Sequence, residues 1–187
     1  MSSSQPPKHE HRGRIARNVI FSAAIGTVCS AVAYARFPIQ LTPMPSLIDR
    51  LAFTLKWNTL SISVLFIMIS NIGNRRFYSG QHNPFSEVDK EKIEVHVRVL
   101  QNTLEQFVLS FTLQLITTTW LDESQMRIIP IIVVLFVIGR ILFWKGYLNP
   151  SYGRTQRSLG LPLTIFTSAA MLCFCAYMLA KDCARRI

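Results

Sequence analysis

Apolar residues along the chain concentrate in five long runs, separated by shorter segments in which polar residues, prolines and glycines accumulate. The runs cover residues 15–34, 51–72, 98–120, 127–144 and 159–180. Each is about as long as a helix that crosses the hydrocarbon core of a membrane. None alternates apolar and polar residues as a barrel strand does, and in lipid an isolated segment satisfies its backbone only as a helix. The pattern predicts an all-α, polytopic integral membrane protein.

The composition of the chain is also that of a membrane protein. Hydrophobic residues make up 50% of the 187 residues, charged residues make up 16%, and the mean hydropathy is +0.29. The formal net charge is +10, but the basic residues lie mostly at the ends of the apolar runs. They are not interleaved with aromatic residues on a soluble face, so we expect the lipid bilayer, and no nucleic acid, as a partner.

The basic residues also predict an orientation. If the N-terminus is cytosolic, the connections after the second and fourth helices are cytosolic too, and lysine and arginine favour that side. These cytosolic segments hold Lys8, Arg12, Arg14, Arg17, Arg75, Arg76, Lys90, Lys92, Lys145, Arg154 and Arg157. The opposite side holds Arg36, Arg50, Arg127, Lys181, Arg185 and Arg186. We therefore expect a cytosolic N-terminus, although the basic C-terminal tail KDCARRI does not fit this rule.

Three parts are expected along the chain: a disordered cytosolic tail at residues 1–14, an N-terminal transmembrane helix at 15–36 and a four-helix membrane domain at 51–187. The tail is polar and contains two adjacent prolines. The helix at 15–36 follows basic residues and ends in small ones, which also fits a cleaved signal peptide. Its length, and Arg36 after it, favour a retained helix.

Cysteine and histidine do not indicate a metal site. Cys29, Cys173 and Cys175 lie within apolar runs and read as small apolar residues, while His9 and His11 lie in the polar tail. We expect no bound metal.

A polar stripe interrupts the third run. Arg98, Asn102 and Glu105 are spaced by four and then three residues, so a helix projects them from one face, with Gln101 beside them. An ionisable group in a spanning helix must face protein or a water-filled cavity. Arg140 is the basic residue inside the fourth run, at a matching depth, and we predict an intramembrane pair of Glu105 with Arg140. Such a pair locks two helices together, and it is equally compatible with one wall of a ligand pocket.

The connection between the fourth and fifth helices gathers basic and tyrosine side chains near the same end of the bundle. It contains Lys145, Tyr147, Tyr152, Arg154 and Arg157. This set suits a small ligand with carboxylates or a lipid headgroup. An ordinary basic cytosolic loop has the same composition, so both interpretations stay open.

These residues carry a resemblance to a known family. They are Arg98, Asn102 and Glu105 on one helix, then Gly139, Arg140, Tyr147, Arg157 and Ser158 across the next two. The pattern resembles the MAPEG superfamily, membrane-associated proteins in eicosanoid and glutathione metabolism. The stretches QNTLEQF, IGRILFW and GLPLT are most similar to its mattrin, or transmembrane protein 79, branch. The resemblance covers roughly residues 51–187.

The resemblance implies four-helix protomers that assemble as homotrimers, with glutathione bound between protomers near the cytosolic face. No cofactor would be permanently bound. The residues implied to build or brace the glutathione-like pocket are Arg75, Arg76, Arg98, Asn102, Glu105, Arg140 and Tyr147. Arg157 and Ser158 match the pair beside the activated thiol and would be catalytic if the protein is an enzyme.

The sequence departs from the enzymes of the superfamily at several of these places. Leu100 and Gln101 stand where those enzymes usually have a histidine or a second basic residue, and Phe143 stands near the Gly-Arg pair. We therefore expect an endomembrane protein of the endoplasmic reticulum, Golgi or lysosome with a structural, trafficking or partner-binding role, in contact with other membrane proteins. The alternative is a glutathione-dependent transferase or peroxidase that acts on lipophilic electrophiles.

Overall fold

The computed structural model describes residues 8–36, 43–78, 90–148 and 157–186, apart from some side chains near the segment ends and within the first helix. These residues form five α-helices: α1 (Lys8–Arg36), α2 (Leu47–Tyr78), α3 (Lys90–Trp120), α4 (Ile128–Leu148) and α5 (Arg157–Arg186). A single 3-10 turn at Glu123–Gln125 joins α3 to α4, and the described residues contain no strand. The predicted all-α fold is confirmed.

The helices extend beyond the apolar runs that predicted them. α1 begins at Lys8, so it includes the second half of the segment expected as a disordered tail, whereas residues 1–7 lie outside the described part of the chain. α2 begins after a reciprocal cap in which Asp49 N donates to Ser46 Oγ at 3.1 Å and Ser46 N donates to Asp49 Oδ2 at 3.2 Å. This cap satisfies backbone donors at the helix start and sets its boundary.

Four helical segments in the described residues are long and apolar enough to cross a membrane. They are Val19–Arg36, Leu47–Tyr78, Glu123–Leu148 and Gly160–Arg186. α3 is less apolar because of its polar first half. It nevertheless runs antiparallel along α2, since Thr118 bonds Thr54 and Val99 packs with Val64 and Met68. α3 therefore extends along the same part of the bundle as α2.

α4 and α5 pack at backbone distance through two glycines. A Cβ atom at Gly160 would collide with the carbonyl oxygen of Gly139 and lie 2.5 Å from the backbone nitrogen of Phe143. Such contacts through small residues are a common way for helices to associate in lipid. They fix the rotation of α4 against α5 and bring Arg140, the residue after Gly139, level with Thr164, one turn beyond Gly160.

Three apolar clusters fill the bundle between the helices. One closes the end formed by the α3–α4 connection and consists of Met44, Leu121, Met126, Ile129 and Val133. Outside the bundle, large apolar side chains remain exposed on α2 and α5, including Phe66 and Leu172. An outward apolar surface is what contact with lipid requires.

α1 is an additional helix that packs against α5 and α4. It presents small residues to the bundle at four-residue intervals, Ser22, Gly26 and Ser30, of which Ser22 and Gly26 are buried. A Cβ atom at Gly26 would lie 2.7 Å from Leu163 Cδ2, so the two helices touch closely at this point.

Candidate functional site

Arg140 is the centre of the candidate site, and its side chain is fully buried between α3, α4 and α5. Its Nη1 donates to Asn102 Oδ1 at 3.0 Å, and its Nη2 donates to the hydroxyl of Thr164. Its guanidinium carbon lies 5.0 Å from the ring centroid of Phe143 and 6.0 Å from that of Phe136. Hydrogen bonds on two helices and aromatic faces on its own helix therefore replace the lost water around this cation.

The predicted pair of Glu105 with Arg140 is wrong. Glu105 is exposed on α3, and its Oε1 accepts a hydrogen bond from Gln101 Nε2 at 3.3 Å. Asn102 and Glu105 are three residues apart, which rotates their side chains about 60° from each other around the helix axis. That rotation turns Asn102 toward α4 and Glu105 away from it. Within the described residues, no carboxylate pairs with Arg140.

Arg98 and Tyr147 lie close together at the end of the bundle nearer to the start of α5. The Arg98 guanidinium donates to Glu94 Oε1 at 2.6 Å, and the phenol of Tyr147 lies within reach of the same guanidinium. The Tyr147 ring also contacts Phe143, with ring centroids 5.7 Å apart. The structure thus links Arg98, Tyr147, Phe143 and Arg140 in one chain of contacts across α3 and α4.

The remaining predicted site residues lie at the ends of α2 and α5. Arg75 is exposed, donates through Nε to Asn71 Oδ1 at 2.9 Å, and acts electrostatically on the buried His96 of α3. Arg76 is also exposed at the end of α2. α5 begins at Arg157, but the side chains of Arg157 and Ser158 lie outside the described residues. Their predicted role at a thiol stays a prediction.

Two polar features were not identified from the sequence. The first is Thr164, which lies in the motif GLPLT and holds Arg140. A threonine in an apolar run gives no signal, because its hydroxyl can bond the backbone of its own helix. Thr164 does so as well, donating to Leu161 O at 3.0 Å.

The second is a buried cluster between α2 and α3, on the far side of the bundle's midpoint from Arg140. Asn58 Nδ2 donates to Gln114 Oε1 at 2.9 Å, Gln114 Nε2 donates to Ser110 Oγ at 3.0 Å, and the hydroxyls of Thr54 and Thr118 lie 2.8 Å apart. The sequence did contain a signal for this cluster, since Asn58 and Gln114 are amides inside apolar runs, where a polar group usually faces another helix.

The polar stripe on α3 therefore divides into two parts. Asn102 points into the bundle and holds Arg140. Arg98, Gln101 and Glu105 are exposed on the outer face of the helix. About 10 Å of helix separates Arg98 from Glu105, so this outer face carries charge well inside the predicted span at residues 98–120.

Comparison with known proteins assigns most of this helical bundle to a known family. The model of the MAPEG family matches residues 54–177, which cover most of α2, all of α3 and α4, and most of α5, and which exclude α1. Transmembrane protein 79 of Mus musculus is 26% identical over 145 residues, covering 78% of this chain and 36% of that protein. Transmembrane protein 79 of Bos taurus is 26% identical over 140 residues, covering 75% and 34%.

The chain thus spans about a third of the length of these curated relatives. No solved structure matches it. The family match covers more than half of the chain and falls on the helices that hold Arg140, Asn102 and Thr164. This chain is an integral membrane protein that belongs to the MAPEG family.

Proposed function

We propose that this protein is a scaffold of MAPEG fold that has lost, or nearly lost, catalysis, and that it acts through assembly and partner binding in endomembranes. The observation that carries this proposal is the set of hydrogen bonds that Arg140 makes. Both of its terminal nitrogens are engaged within one chain, by Asn102 and Thr164. A fully buried cation whose terminal nitrogens already hold α3 and α5 is poorly placed to bind the carboxylates of a peptide.

The residues that differ from those of the superfamily's enzymes also favour a scaffold. Leu100 packs on the apolar cluster around Val99, and Phe143 is buried in that cluster beneath the Arg140 guanidinium. These positions serve packing. Each charge-assisted hydrogen bond missing from a ligand site costs about 1.5 to 3 kcal/mol of binding, so a site without these donors would hold glutathione weakly.

The proposed assembly is a homotrimer. The outer face of α3 carries Arg98, Gln101 and Glu105, and lipid contact with these groups would cost several kcal/mol. A neighbouring copy that covers this face would remove the charges from lipid. Native mass spectrometry of protein released from detergent measures the copy number directly.

The proposed setting is the endoplasmic reticulum, Golgi or lysosome, with the N-terminus in the cytosol and other membrane proteins as partners. The likeness to transmembrane protein 79 supports a role in a membrane. The basic residues at the ends of α2 and α4, Arg75, Arg76 and Lys145, support the orientation.

One arrangement favours the alternative, a glutathione-dependent transferase or peroxidase. Arg98, Tyr147 and the start of α5 lie at the same end of the bundle, and a helix start attracts anions through its free backbone donors. The Nε of Arg140 also has no hydrogen-bond partner among the described residues. In such an enzyme Arg157 and Ser158 would stabilise the thiolate of glutathione, which then attacks a lipophilic electrophile.

The experiment that separates the two functions measures glutathione conjugation by purified protein in detergent or lipid. It compares wild type with Arg157→Ala and with Arg185→Ala, the same change at the far end of α5. A scaffold shows no turnover above background in any of the three, and no binding at millimolar glutathione. Wild-type turnover that falls on the order of 10²-fold in Arg157→Ala, and stays unchanged in Arg185→Ala, would establish the enzyme and refute the scaffold.

A further inference from the structure

A cavity of about 350 Å³ lies between α1 and the bundle. Its sides are formed by Ala23 and Gly26 of α1 and by Phe166 and Ala170 of α5, and Ile132 of α4 lies at its base. α1 lies outside the segment that matches the family model. We infer that this cavity binds an acyl chain of a membrane lipid, held between the additional helix and the four-helix bundle.

The lining is apolar in its chemistry. No charged side chain of the described residues lines it. Three of its hydroxyls are already bonded to the backbone of their own helices: Thr27 to Ala23 O at 2.9 Å, Ser30 to Gly26 O at 2.6 Å, and Thr167 to Leu163 O. A charged or strongly polar ligand would lose more hydration here than the few hydroxyls of the lining can replace, which is unfavourable. An apolar ligand has no hydrogen bonds to water to lose on entering the cavity.

The position and length of the cavity fit a lipid chain. It lies within the spans Val19–Arg36 and Gly160–Arg186. Along α5 it extends from Pro162 to Phe174, about 18 Å at the rise of an α-helix. One leaflet of a hydrocarbon core of about 30 Å has a similar depth. The volume lies near the lower limit of ligand pockets, which suits one chain better than a whole lipid.

Access to the cavity is from the bilayer. Thr27, Phe166 and Ala170 line it and are also exposed, so it opens along the seam between α1 and α5. The lining residues of α1 are all small, namely Ser22, Ala23, Gly26, Thr27 and Ser30. An unfilled space of this kind forfeits the dispersion contacts of its walls. A chain that enters from the adjacent leaflet restores those contacts while its headgroup stays at the membrane surface.

The test uses the full chain in nanodiscs of phosphatidylcholine, part of which carries a photoactivatable diazirine in an acyl chain. After irradiation, mass spectrometry of peptides maps the adducts. We expect them on residues 22–30 of α1 and 162–174 of α5. Ala170→Trp places an indole in the cavity and should remove these adducts. Ala169→Trp, the same change on an exposed neighbour that does not line the cavity, should retain them.

A second matched pair on α1 decides the matter if Ala170→Trp does not fold. Ala23→Trp fills the cavity from the opposite wall and should remove the adducts. Ala24→Trp is its control and should retain them, because Ala24 is exposed and does not line the cavity. Equal adduct yields in a filling variant and its neighbour would overturn the proposal. So would adducts spread evenly over the outward faces of α2 and α5, because they would report only the general contact of the protein with lipid.

Discussion

Arg140 is a cation buried among membrane helices without a carboxylate partner in the described residues, and two hydrogen bonds with two aromatic faces compensate its lost hydration. Each bond to a charged group contributes about 1.5 to 3 kcal/mol. Removing one acceptor while the cation stays buried is more damaging than removing an ordinary hydrogen bond, since the desolvation penalty remains. Asn102 and Thr164 should therefore be sensitive positions.

The change Thr164→Val tests this at one atom. It keeps the shape of the side chain and removes the acceptor of Arg140 Nη2, so the free energy of unfolding should fall by about 1 to 3 kcal/mol. A lower midpoint of thermal unfolding in detergent, followed by tryptophan fluorescence, measures the loss. Thr119→Val is the control, because its exposed hydroxyl bonds only Ile116 O in its own helix. Equal midpoints for the two variants would show that Thr164 does not support Arg140.

The sequence predicted that Arg140 needs a partner on α3 and placed that partner at the right depth, but it selected the wrong side chain. The depth of a residue in the membrane follows from its position along the apolar run. The rotation of a helix about its axis is set by packing, and α3 packs on α2 through Val99, which contacts Val64 and Met68. Polarity alone did not distinguish Asn102 from Glu105, which differ by about 60° around the helix.

At the scale of helices, the glycine contact between α4 and α5 yields the second prediction. A Cβ atom at Gly160 would meet backbone atoms of Gly139 and Phe143, which have no side-chain freedom to move aside. Gly160→Ala should push the helices apart and reduce stability by about 1 to 3 kcal/mol. Gly73→Ala is the matched control on α2, where nothing lies within 4 Å. Because alanine is the better helix former, that change should be neutral or stabilising by up to about 1 kcal/mol.

Thermal unfolding of the two glycine variants, together with wild type, measures both effects. If Gly160→Ala were as stable as Gly73→Ala, the close approach of α4 and α5 would be incorrect, and so would the alignment of Arg140 with Thr164 that depends on it.

The third prediction concerns the amide pair that joins α2 to α3. Asn58→Leu leaves Gln114 Oε1 without its donor, whereas the double variant with Gln114→Leu removes both groups. A double-mutant cycle should give a favourable coupling of about 0.6 to 2 kcal/mol, the range of hydrogen bonds between membrane helices. Asn58→Leu combined with Thr119→Val should be additive, because the exposed hydroxyl of Thr119 bonds only Ile116 O in its own helix. Additivity in both cycles would mean that Asn58 and Gln114 do not interact.

The five helices themselves could be predicted from the sequence, because an apolar run of bilayer length has few alternatives in lipid. Their ends could not, since α2 and α3 continue through polar residues such as Arg76 and Glu94 beyond the apolar part. The second half of the expected tail joins α1 in the same way. Helix propensity and capping extend a helix into the aqueous layer, and hydropathy does not register them.

At the scale of the whole molecule, the number of membrane crossings determines whether the two ends of the chain lie on the same side of the membrane. The segments between successive α-helices cover residues 37–46, 79–89, 121–127 and 149–156, and by length each has too few residues for a further helix across a hydrocarbon core of about 30 Å. Four of the helices are long and apolar enough to span a membrane, and α3 packs along α2, so we propose that α3 crosses as well. Five crossings would place the N-terminus and the C-terminus on opposite sides of the membrane.

From the excess of basic residues at the ends of α2 and α4, we propose that the N-terminus is cytosolic. A short epitope after Ser4 should therefore be removed by protease added to intact microsomes, and an epitope after Ile187 should be protected until detergent is added. If α1 were a cleaved signal peptide, the first epitope would be missing from the mature protein while the second stayed protected. Two epitopes that are removed together, or protected together, in uncleaved protein would contradict five crossings. The helix that then fails to cross would most simply be α3, whose polar outer face is the least suited to lipid.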